Sequence, residues 1–317
     1  LNSIREQGKL TPELEASIAA APTKAALEDI YLPYKPKRRT KAMIARENGL
    51  EALLAEIRAD RSADPQALAG GHLSEAVPTA KAALEGARDI LAEELSENAT
   101  LLGRLREFMR AEGYISTRLV EGKEQAGAKF SDYFDHREKL GDIPSHRALA
   151  VLRAAKEEVV TIDIAPDADT GAARAERMVA AAIGELGQGP GDDWLRAAAG
   201  WTWRVKLSGS MYIDMLTELR RRAHEDAIKV FSRNLRDVLQ SAPAGPRATI
   251  GLDPGIRTGV KLAVVDATGK LVETATIYPF QPRMDVQGAQ AALMTLIARH
   301  GIELVAIGNG TASRETE

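Results

Sequence analysis

The spacing of apolar residues predicts that the first 240 positions are mainly helical. Apolar side chains recur three or four residues apart over 40–59, 79–112 and 170–186, and a polar break near Glu97 divides the second of these stretches. A long helix is predicted over about 208–240. Its expected apolar stripe comprises Met211, Met215, Leu219, Ala223, Ile228, Phe231, Leu235 and Leu239.

Short segments within this region predict helix starts and extended chain. Thr11 precedes a proline and is expected to cap a helix, and Ser145 is expected to cap the helix that follows it. Residues 114–120 alternate weakly between apolar and polar side chains, which indicates an extended segment. Residues 158–165 predict an isolated strand.

The pattern changes after a Pro- and Gly-rich break at 242–246. Three β-branched and apolar runs joined by Gly-bearing turns predict an antiparallel meander over 249–278. A helix at about 285–300 and a buried strand at 303–307 follow, and the chain ends on an opening helix. The order β-β-β-α-β-α is that of an RNase H-like fold. We therefore predict a mainly α helical region followed by a partial α/β RNase H-like domain.

The predicted domain limits follow from these patterns. The helical region is assigned to residues 1–205, a long connecting helix to 206–242, and the RNase H-like domain to 247–317. The chain of 317 residues is long enough for two domains, and its 44% hydrophobic content is ample for a core. Because the first residue is leucine and the last segment is charged, we expect a piece of a longer protein.

Composition excludes several classes of protein. The chain has no cysteine, which excludes a disulfide framework, a thiolate metal site and a cysteine nucleophile, and which suits the reducing cytoplasm. No apolar run approaches the roughly 18 residues that span a bilayer, so we expect no membrane partner. The net charge is −3, so any binding of nucleic acid must rely on local basic patches.

The strongest local patch is the basic segment, residues 35–41, which follows Tyr31 and Tyr34. Basic groups beside aromatic rings suit contact with phosphates and stacking of bases. An alternative is a solvated loop whose arginines pair with nearby carboxylates. A second candidate is the predicted helix start at residues 145–147, where two basic side chains could face phosphate or could serve only local pairing. The basic residues at these two places are Lys35, Lys37, Arg38, Arg39, Lys41, His146 and Arg147.

Asp253, at the tip of the first strand of the meander, is the carboxylate that could carry chemistry. Two-metal phosphodiester cleavage needs several carboxylates that converge on metals about 4 Å apart, and the sequence offers one clear candidate. Asp266 is expected to cap its own turn. Because Mg²⁺ held by one carboxylate would be weakly bound, we expect no catalytic residue and no cofactor. Mg²⁺ at Asp253 belongs only to a nuclease alternative.

The turn after Asp253 also invites a phosphate interpretation. Gly255 and Gly259 would let the backbone approach a phosphate, and Arg257 could pair with it. Sugar kinases and actin-like ATPases use a similar Asp-x-Gly turn. The alternative is that the glycines supply positive φ for a hairpin and nothing more.

Four motifs occur in order along the chain: LPYKPKRRTK (32–41), IPSHR (143–147), GLDPGIRTG (251–259) and AIGNGT (306–311). Together they resemble the Tex family of bacterial transcription accessory proteins over essentially the whole chain. The resemblance implies a helical region with a helix-turn-helix-like part. It also implies a YqgF-type RNase H-like domain from about Arg247.

The resemblance further implies a nucleic-acid-binding factor that acts around transcribing RNA polymerase, with single-stranded RNA or DNA as its ligand. The YqgF domain is similar to that of Holliday-junction resolvases, in which the counterpart of Asp253 is catalytic. Here the fourth strand ends in Gly308-Asn309-Gly310, where a resolvase is expected to place a second carboxylate. We therefore expect binding without catalysis. The alternative is a Mg²⁺-dependent, structure-selective nuclease that uses Asp253.

Overall fold

A computed structural model describes residues 2–35, 39–168 and 170–317. Contacts between residues divide the chain into two compact units, Leu1–Ser232 and Arg233–Glu317. The helices up to residue 239 are α1 (Asn2–Glu6), α2 (Pro12–Ala19), α3 (Lys24–Tyr31), α4 (Lys41–Glu47), α5 (Leu50–Ala59), α6 (Pro65–Ala69), α7 (Ala80–Ser96), α8 (Ala99–Glu112), α9 (Ser145–Lys156), α10 (Gly171–Ala181), α11 (Pro190–Thr202) and α12 (Ser208–Leu239). Short 3₁₀ turns occupy Leu32–Tyr34, Gly70–His72 and Ala128–Tyr133, and a π-helical turn, Trp203–Leu207, joins α11 to α12.

One of the two side-chain caps that the sequence predicted is confirmed and the other is wrong, and one predicted helix is divided in two. Thr11 accepts from the amide of Leu14 at 3.2 Å, as expected. The helix predicted over 40–59 is two helices, because Gly49 lies between them with φ +78°. Ser145 is not the cap of α9. Pro144 occupies that position, and the Ser145 hydroxyl instead donates to the Asp226 carboxylate at 2.6 Å.

A three-stranded antiparallel sheet lies within the first unit. Its strands are β1 (Gly113–Leu119), β2 (Asp135–Lys139) and β3 (Val160–Pro166), in the order β2-β1-β3. The extended segment predicted at 114–120 is confirmed as β1. The prediction of an isolated strand at 158–165 is wrong, because β3 pairs with β1 in register from Leu119↔Val160 to Gly113↔Pro166. β2 was not predicted, since its sequence DHREK has no apolar alternation.

A buried ion network joins α3, α8 and α12 in the first unit. Arg106 on α8 donates to both carboxylate oxygens of Asp29, through Nη2 at 2.7 Å and through Nη1, and its Nε donates to Asp214 at 2.6 Å. Arg106 and Asp29 are 8% and 6% exposed. The hydrogen bonds to Asp29 raise the pKa of Arg106 above its ordinary value, although burial opposes this and Asp214 adds to it.

The apolar stripe predicted for α12 is correct only in the first half of the helix. Met211, Met215, Leu219 and Ala223 are buried in the core of the first unit. Further along the helix the expected stripe is exposed, and Phe231, for example, is 67% accessible. Helical periodicity identifies which residues share a face, but it does not show where along the helix a partner ends.

The second unit contains a four-stranded sheet of order β6-β5-β4-β7. Its elements are β4 (Thr249–Asp253), β5 (Val260–Val265), β6 (Leu271–Ile277), α13 (Val286–His300), β7 (Leu304–Ile307) and α14 (Ser313–Thr316). β4 pairs antiparallel with β5 and parallel with β7. The predicted order β-β-β-α-β-α and the predicted fold class are therefore confirmed. The last strand is not buried, because β7 is an edge strand with three exposed residues.

One face of this second sheet packs against α13 and the other is open. Ile250 and Leu252 of β4 alternate inward and join a core with Ala289 and Leu296 of α13. The alternate residues of β4, Gly251 and Asp253, point to the opposite face. Within the described ranges, no helix is both long enough and apolar enough to cross a bilayer.

Candidate functional site

In the sequence, the basic segment follows the 3₁₀ turn Leu32–Tyr34 and ends at Lys41, the first residue of α4. Thr40 caps α4 by accepting from the amide of Met43 at 3.1 Å, and its hydroxyl donates to Glu93 on α7 at 2.9 Å. One hydroxyl thus orders the end of the segment and attaches it to a neighbouring helix. Lys35 precedes and Lys41 follows residues 36–38, which lie outside the described residues. Both lysines are exposed.

Charge pairing divides the basic segment into two kinds of residue. Arg39 forms an ion pair with Glu47, as the alternative interpretation of a surface-paired loop requires. No carboxylate of the described residues lies within 4.0 Å of the ammonium group of Lys35 or Lys41. Lys37 and Arg38 lie outside the described residues. The described part of the segment therefore presents two cations without a carboxylate partner and one that is partly neutralised.

The start of α9 shows local pairing at one basic residue and exposure at the other. Arg147 Nη1 donates to Glu138 on β2 at 2.7 and 2.8 Å, and His136 lies 3.2 Å from the same carboxylate. Burial alone would raise the pKa of Glu138, but the hydrogen bonds from Arg147 and His136 outweigh it and hold that pKa below its ordinary value. His146 is exposed, and no hydrogen bond or ion pair joins its side chain to another described residue.

An aromatic–arginine stack on the first sheet was missed in the sequence. The guanidinium carbon of Arg137 on β2 lies 3.9 Å from the ring centroid of Tyr114 on β1. Arg137 also donates to Asp167 at 2.9 Å. The two stacked residues are 23 positions apart and meet only because β1 and β2 pair with Ser116 opposite Arg137. Without a predicted β2, no sequence signal placed them together.

Asp253 ends β4 with an exposed side chain on the open face of the second sheet. Lys261 lies directly across from it in the antiparallel register with β5. On the other side, the amide of Gly308 after β7 donates to Leu252 O at 2.8 Å. A Cβ built on Gly308 would lie 4.0 Å from Asp253 Oδ1 and 3.4 Å from Leu252 O. The position beside Asp253 therefore has room for a side chain but carries none.

Small residues make the open face of this sheet a shallow depression of about 840 Å³. Gly251, Ala263 and Ala306 form its middle, and Asp253 and Lys261 lie at one end. Among the residues that the structure describes, no group of three or more His, Asp or Glu side chains is placed to hold a metal ion. Asp253 thus has a cation opposite it and belongs to no such cluster within these ranges.

The turn after Asp253 is shaped by its glycines. Gly259 has φ +80°, and a Cβ there would lie 2.7 Å from Ile277 O. A Cβ on Gly255, whose φ is not positive, would lie 2.5 Å from Thr258 Oγ1. Both glycines are thus required by backbone packing. Arg257 is exposed in this turn, and its side chain forms no hydrogen bond or ion pair with any residue that the structure describes.

Asp266 caps its own turn, as predicted. Its Oδ1 accepts from the hydroxyl of Thr268 at 2.6 Å, from the amide of Thr268 at 2.8 Å and from the amide of Lys270 at 3.1 Å. The hydrogen bond from the Thr268 hydroxyl is the main reason that the pKa of Asp266 lies below its ordinary value. This carboxylate is committed to the turn and is not available to assist Asp253.

The predicted contact residues lie at three places in the fold. The basic segment contacts α7, the α9 start contacts β2 and α12, and Arg257 belongs to the second unit. The assignment of Lys35, Lys37, Arg38, Arg39, Lys41, His146, Arg147 and Arg257 to nucleic-acid contacts therefore remains a prediction. Asp253 as a catalytic or metal-binding residue also remains one.

The chain thus combines a mainly helical first unit with a second unit that contains an RNase H-like sheet, and this combination defines its class. Two family models match the chain. The model described as Tex central region-like matches residues 60–231, and the Tex protein YqgF-like domain matches residues 247–317. The chain belongs to the Tex family.

Curated relatives agree with this assignment. Protein tex of Bordetella pertussis is 51% identical over all of this chain, and the transcriptional accessory protein Tex of Neisseria gonorrhoeae is 50% identical over the same extent. The human S1 RNA-binding domain-containing protein 1 is 24% identical, also over the whole chain. This chain spans 42% of the length of each of the two bacterial relatives and 33% of the human one.

Proposed function

We propose that this chain is part of a transcription accessory factor that binds single-stranded RNA or DNA and does not cleave it. The names of its relatives support a role with nucleic acid and in transcription. We extend the proposal to action beside RNA polymerase, which in a bacterium takes place in the cytoplasm. Failure of the full chain to co-elute with RNA polymerase on a transcription scaffold would contradict that part of the proposal.

The observation that carries the binding proposal is that Lys35 and Lys41 form no ion pair with any carboxylate of the described residues. An exposed ammonium group without a carboxylate partner keeps its full charge for a phosphate. Arg39 is a weaker candidate because Glu47 already neutralises part of its charge. His146 and Arg257 are exposed additional candidates, whereas Arg147 would first have to leave Glu138.

Salt dependence of binding tests the basic segment. Each lost phosphate contact should flatten the log–log salt slope for a single strand by about 0.7, so the double variant Lys35→Gln/Lys41→Gln should lose about 1.4. The matched control is Lys81→Gln/Lys270→Gln, which removes the same charge from exposed lysines elsewhere. Binding of a labelled single-stranded oligonucleotide to the full chain, measured by fluorescence anisotropy from low to moderate salt, gives both slopes. Equal slopes in the two double variants would remove these lysines from the interface.

Nuclease activity is the second candidate function. It is favoured by the exposed carboxylate of Asp253 at a strand end, beside a lysine and in an open depression. It is disfavoured because the neighbouring strand end offers Gly308 in place of a second carboxylate. Incubation of the full chain with branched DNA and Mg²⁺ or Mn²⁺ separates the two functions. Cleavage that disappears in Asp253→Asn would replace the binding proposal with a nuclease, whereas intact DNA agrees with it.

A further inference from the structure

Helices α9 and α12 run in opposite directions beside β3. The bond from Ser145 to Asp226 places the start of α9 beside the later part of α12. The hydroxyl of Tyr212 donates to the carbonyl of Ile162 at 3.3 Å, which places the start of α12 beside the strand that follows α9. A groove of about 1000 Å³ is lined by α9, α12 and β3, and we call it the α9–α12 groove.

Each of the two helices presents one stripe of side chains to the α9–α12 groove. The lining residues recur three or four positions apart, which places them along one side of each helix. They are Leu149, Leu152, Arg153 and Lys156 on α9, and Tyr212, Leu216, Arg220 and His224 on α12. From Tyr212 to His224 the stripe is about 18 Å long, at 1.5 Å per residue.

The groove has basic residues toward both ends. Because the two helices are antiparallel, Arg220 and His224 lie toward one end and Lys156 lies toward the other. None of the described lining residues is acidic. Arg153 is paired with Glu157 at 2.8 Å, but Lys156 and Arg220 form no ion pair with any residue that the structure describes. An occupant that carries acidic side chains beside an apolar stripe would complement this surface.

The floor of the groove determines the kind of backbone that can lie in it. Val160 is only 3% exposed, and the carbonyl of Ile162 already accepts a hydrogen bond from Tyr212. The floor therefore offers an extended segment little backbone with which to pair. An occupant must satisfy its own backbone N–H and C=O groups, and an α-helix does so.

We propose that the α9–α12 groove binds an acidic amphipathic helix of a partner protein. Its apolar residues, about three or four positions apart, would pack between Leu152 and Leu216, as in other helix-in-groove complexes. Its carboxylates would meet Lys156 at one end of the groove and Arg220 at the other. The length of about 18 Å accommodates roughly 12 residues of such a helix, which is a little more than three turns.

A helix matches this groove better than a single nucleic-acid strand does, although both are acidic. Single strands are held mainly by bases that stack on aromatic rings. The apolar side chains of the groove are mainly aliphatic, and the hydroxyl of Tyr212 is bonded to β3. None of the described lining residues belongs to the basic segment, so this partner site neither requires nor excludes the proposed binding of nucleic acid.

A fluorescent peptide of about 18 residues, with leucines on one helical face and glutamates and alanines elsewhere, is the probe. We expect it to bind the full chain in an anisotropy titration and to bind about tenfold more weakly to Lys156→Glu/Arg220→Glu, because these charges are reversed. The control Lys81→Glu/Arg104→Glu makes the same change of charge at exposed positions outside the groove and should stay within about twofold of the parent chain. Equal weakening in both double variants, or no binding to the parent chain, would overturn the proposal.

Two altered peptides test the helix and its apolar face without any change in the protein. In the first, the same residues are rearranged so that the leucines are spread around the helix. In the second, a proline replaces a central alanine and breaks the helix. Both peptides keep the charge of the parent peptide, and each should bind about tenfold more weakly or worse. If either of them binds like the parent peptide, the groove does not recognise an amphipathic helix and the proposal is overturned.

Because the chain has no cysteine, a single introduced cysteine reports where the peptide lies. Thr161 is exposed and lines the groove, so an environment-sensitive dye on Thr161→Cys should shift its emission when the peptide binds. The same dye on Ala55→Cys, an exposed position of α5, should not respond. An unchanged emission from Thr161→Cys, or an equal shift at both positions, would overturn the proposal. It is also overturned if Lys156 and Arg220 support binding of a single-stranded oligonucleotide, or self-association of the chain, and not binding of the peptide.

Discussion

Replacement of Arg106 by methionine tests how the N-terminal helices are held to the rest of the first unit. Methionine keeps much of the volume of the arginine stem but leaves the carboxylate of Asp29 without a counter-charge. Asp29 is the one buried residue among the described residues of α3, so this helix has little apolar burial to retain it. The network is thus a principal attachment of α3 to α8.

The structure sets the size of the expected effect. Removal of one partner from a buried ion pair destabilises by about 3–5 kcal/mol. Asp214 is 33% exposed at its side chain and can regain water, so most of the loss should come from Asp29. We therefore expect the Arg106→Met variant to lose about 3 kcal/mol of unfolding free energy.

Urea unfolding followed by tryptophan fluorescence measures this loss of stability in the first unit. All three tryptophans, Trp194, Trp201 and Trp203, belong to the first unit, so their signal is not affected by unfolding of the second. The control is Arg104→Met on the same helix, an exposed position where about 0.5 kcal/mol or less is expected. Limited proteolysis should also cut within residues 1–35 sooner in the Arg106 variant. Equal stabilities of the two variants would refute the role of the network.

Three other perturbations follow from the geometry. Gly259→Ala should destabilise the second unit by about 2 kcal/mol or more, since both its positive φ and its close backbone neighbour oppose a Cβ, whereas Gly269→Ala, with positive φ but open space, should lose about 1 kcal/mol. Glu138→Gln should reduce the stability of the first unit near neutral pH. This deficit should shrink as pH falls below about 4.3, because a carboxylate whose folded pKa is lowered stabilises only while it is ionised. Gly308→Asp should tighten Mn²⁺ binding on the order of tenfold by adding a carboxylate beside Asp253.

Each of these three predictions is tested by a separate measurement. Hydrogen–deuterium exchange of peptides from β4 to β6 ranks the two glycine variants, and equal exchange would show that the neighbouring backbone imposes no extra strain. Urea unfolding of Glu138→Gln and of the parent chain at pH 7 and pH 3 gives the loss of unfolding free energy at each pH. A loss independent of pH would mean that ionisation of Glu138 does not contribute to stability. Water-proton relaxation titrates Mn²⁺, and an unchanged affinity, or a gain that survives Asp253→Asn, would show that the two strand ends do not converge.

Sequence reasoning succeeded at several places where a local chemical rule was sufficient. The cap at Thr11, the turn held by Asp266 and the order of elements after residue 247 depend on neighbours within a few positions, which the sequence displays directly. The alternation within β4 likewise identified Asp253 as a residue at a strand end. These features follow from backbone geometry and side-chain hydrogen bonding over short distances.

Sequence reasoning failed where the deciding contact is a tertiary one, beyond the few neighbours that a local rule considers. β2 has no apolar period because its inward residues, His136 and Glu138, are satisfied by each other and by Arg147, which is nine positions away. The partner of Ser145 is Asp226, 81 positions away, so no local rule could distinguish a cap from a tertiary hydrogen bond.

The amino-acid sequence by itself determined the family of this protein, its two fold types and the short-range caps and turns, since each of these is encoded in contiguous residues. Only the tertiary structure decided which charges are neutralised. It pairs Arg39 with Glu47, leaves Lys41 without a carboxylate partner among the described residues, and buries Arg106 against Asp29. The physical reason is that ion pairing and desolvation depend on distance in space, and residues 77 positions apart in the chain become neighbours only when the helices pack.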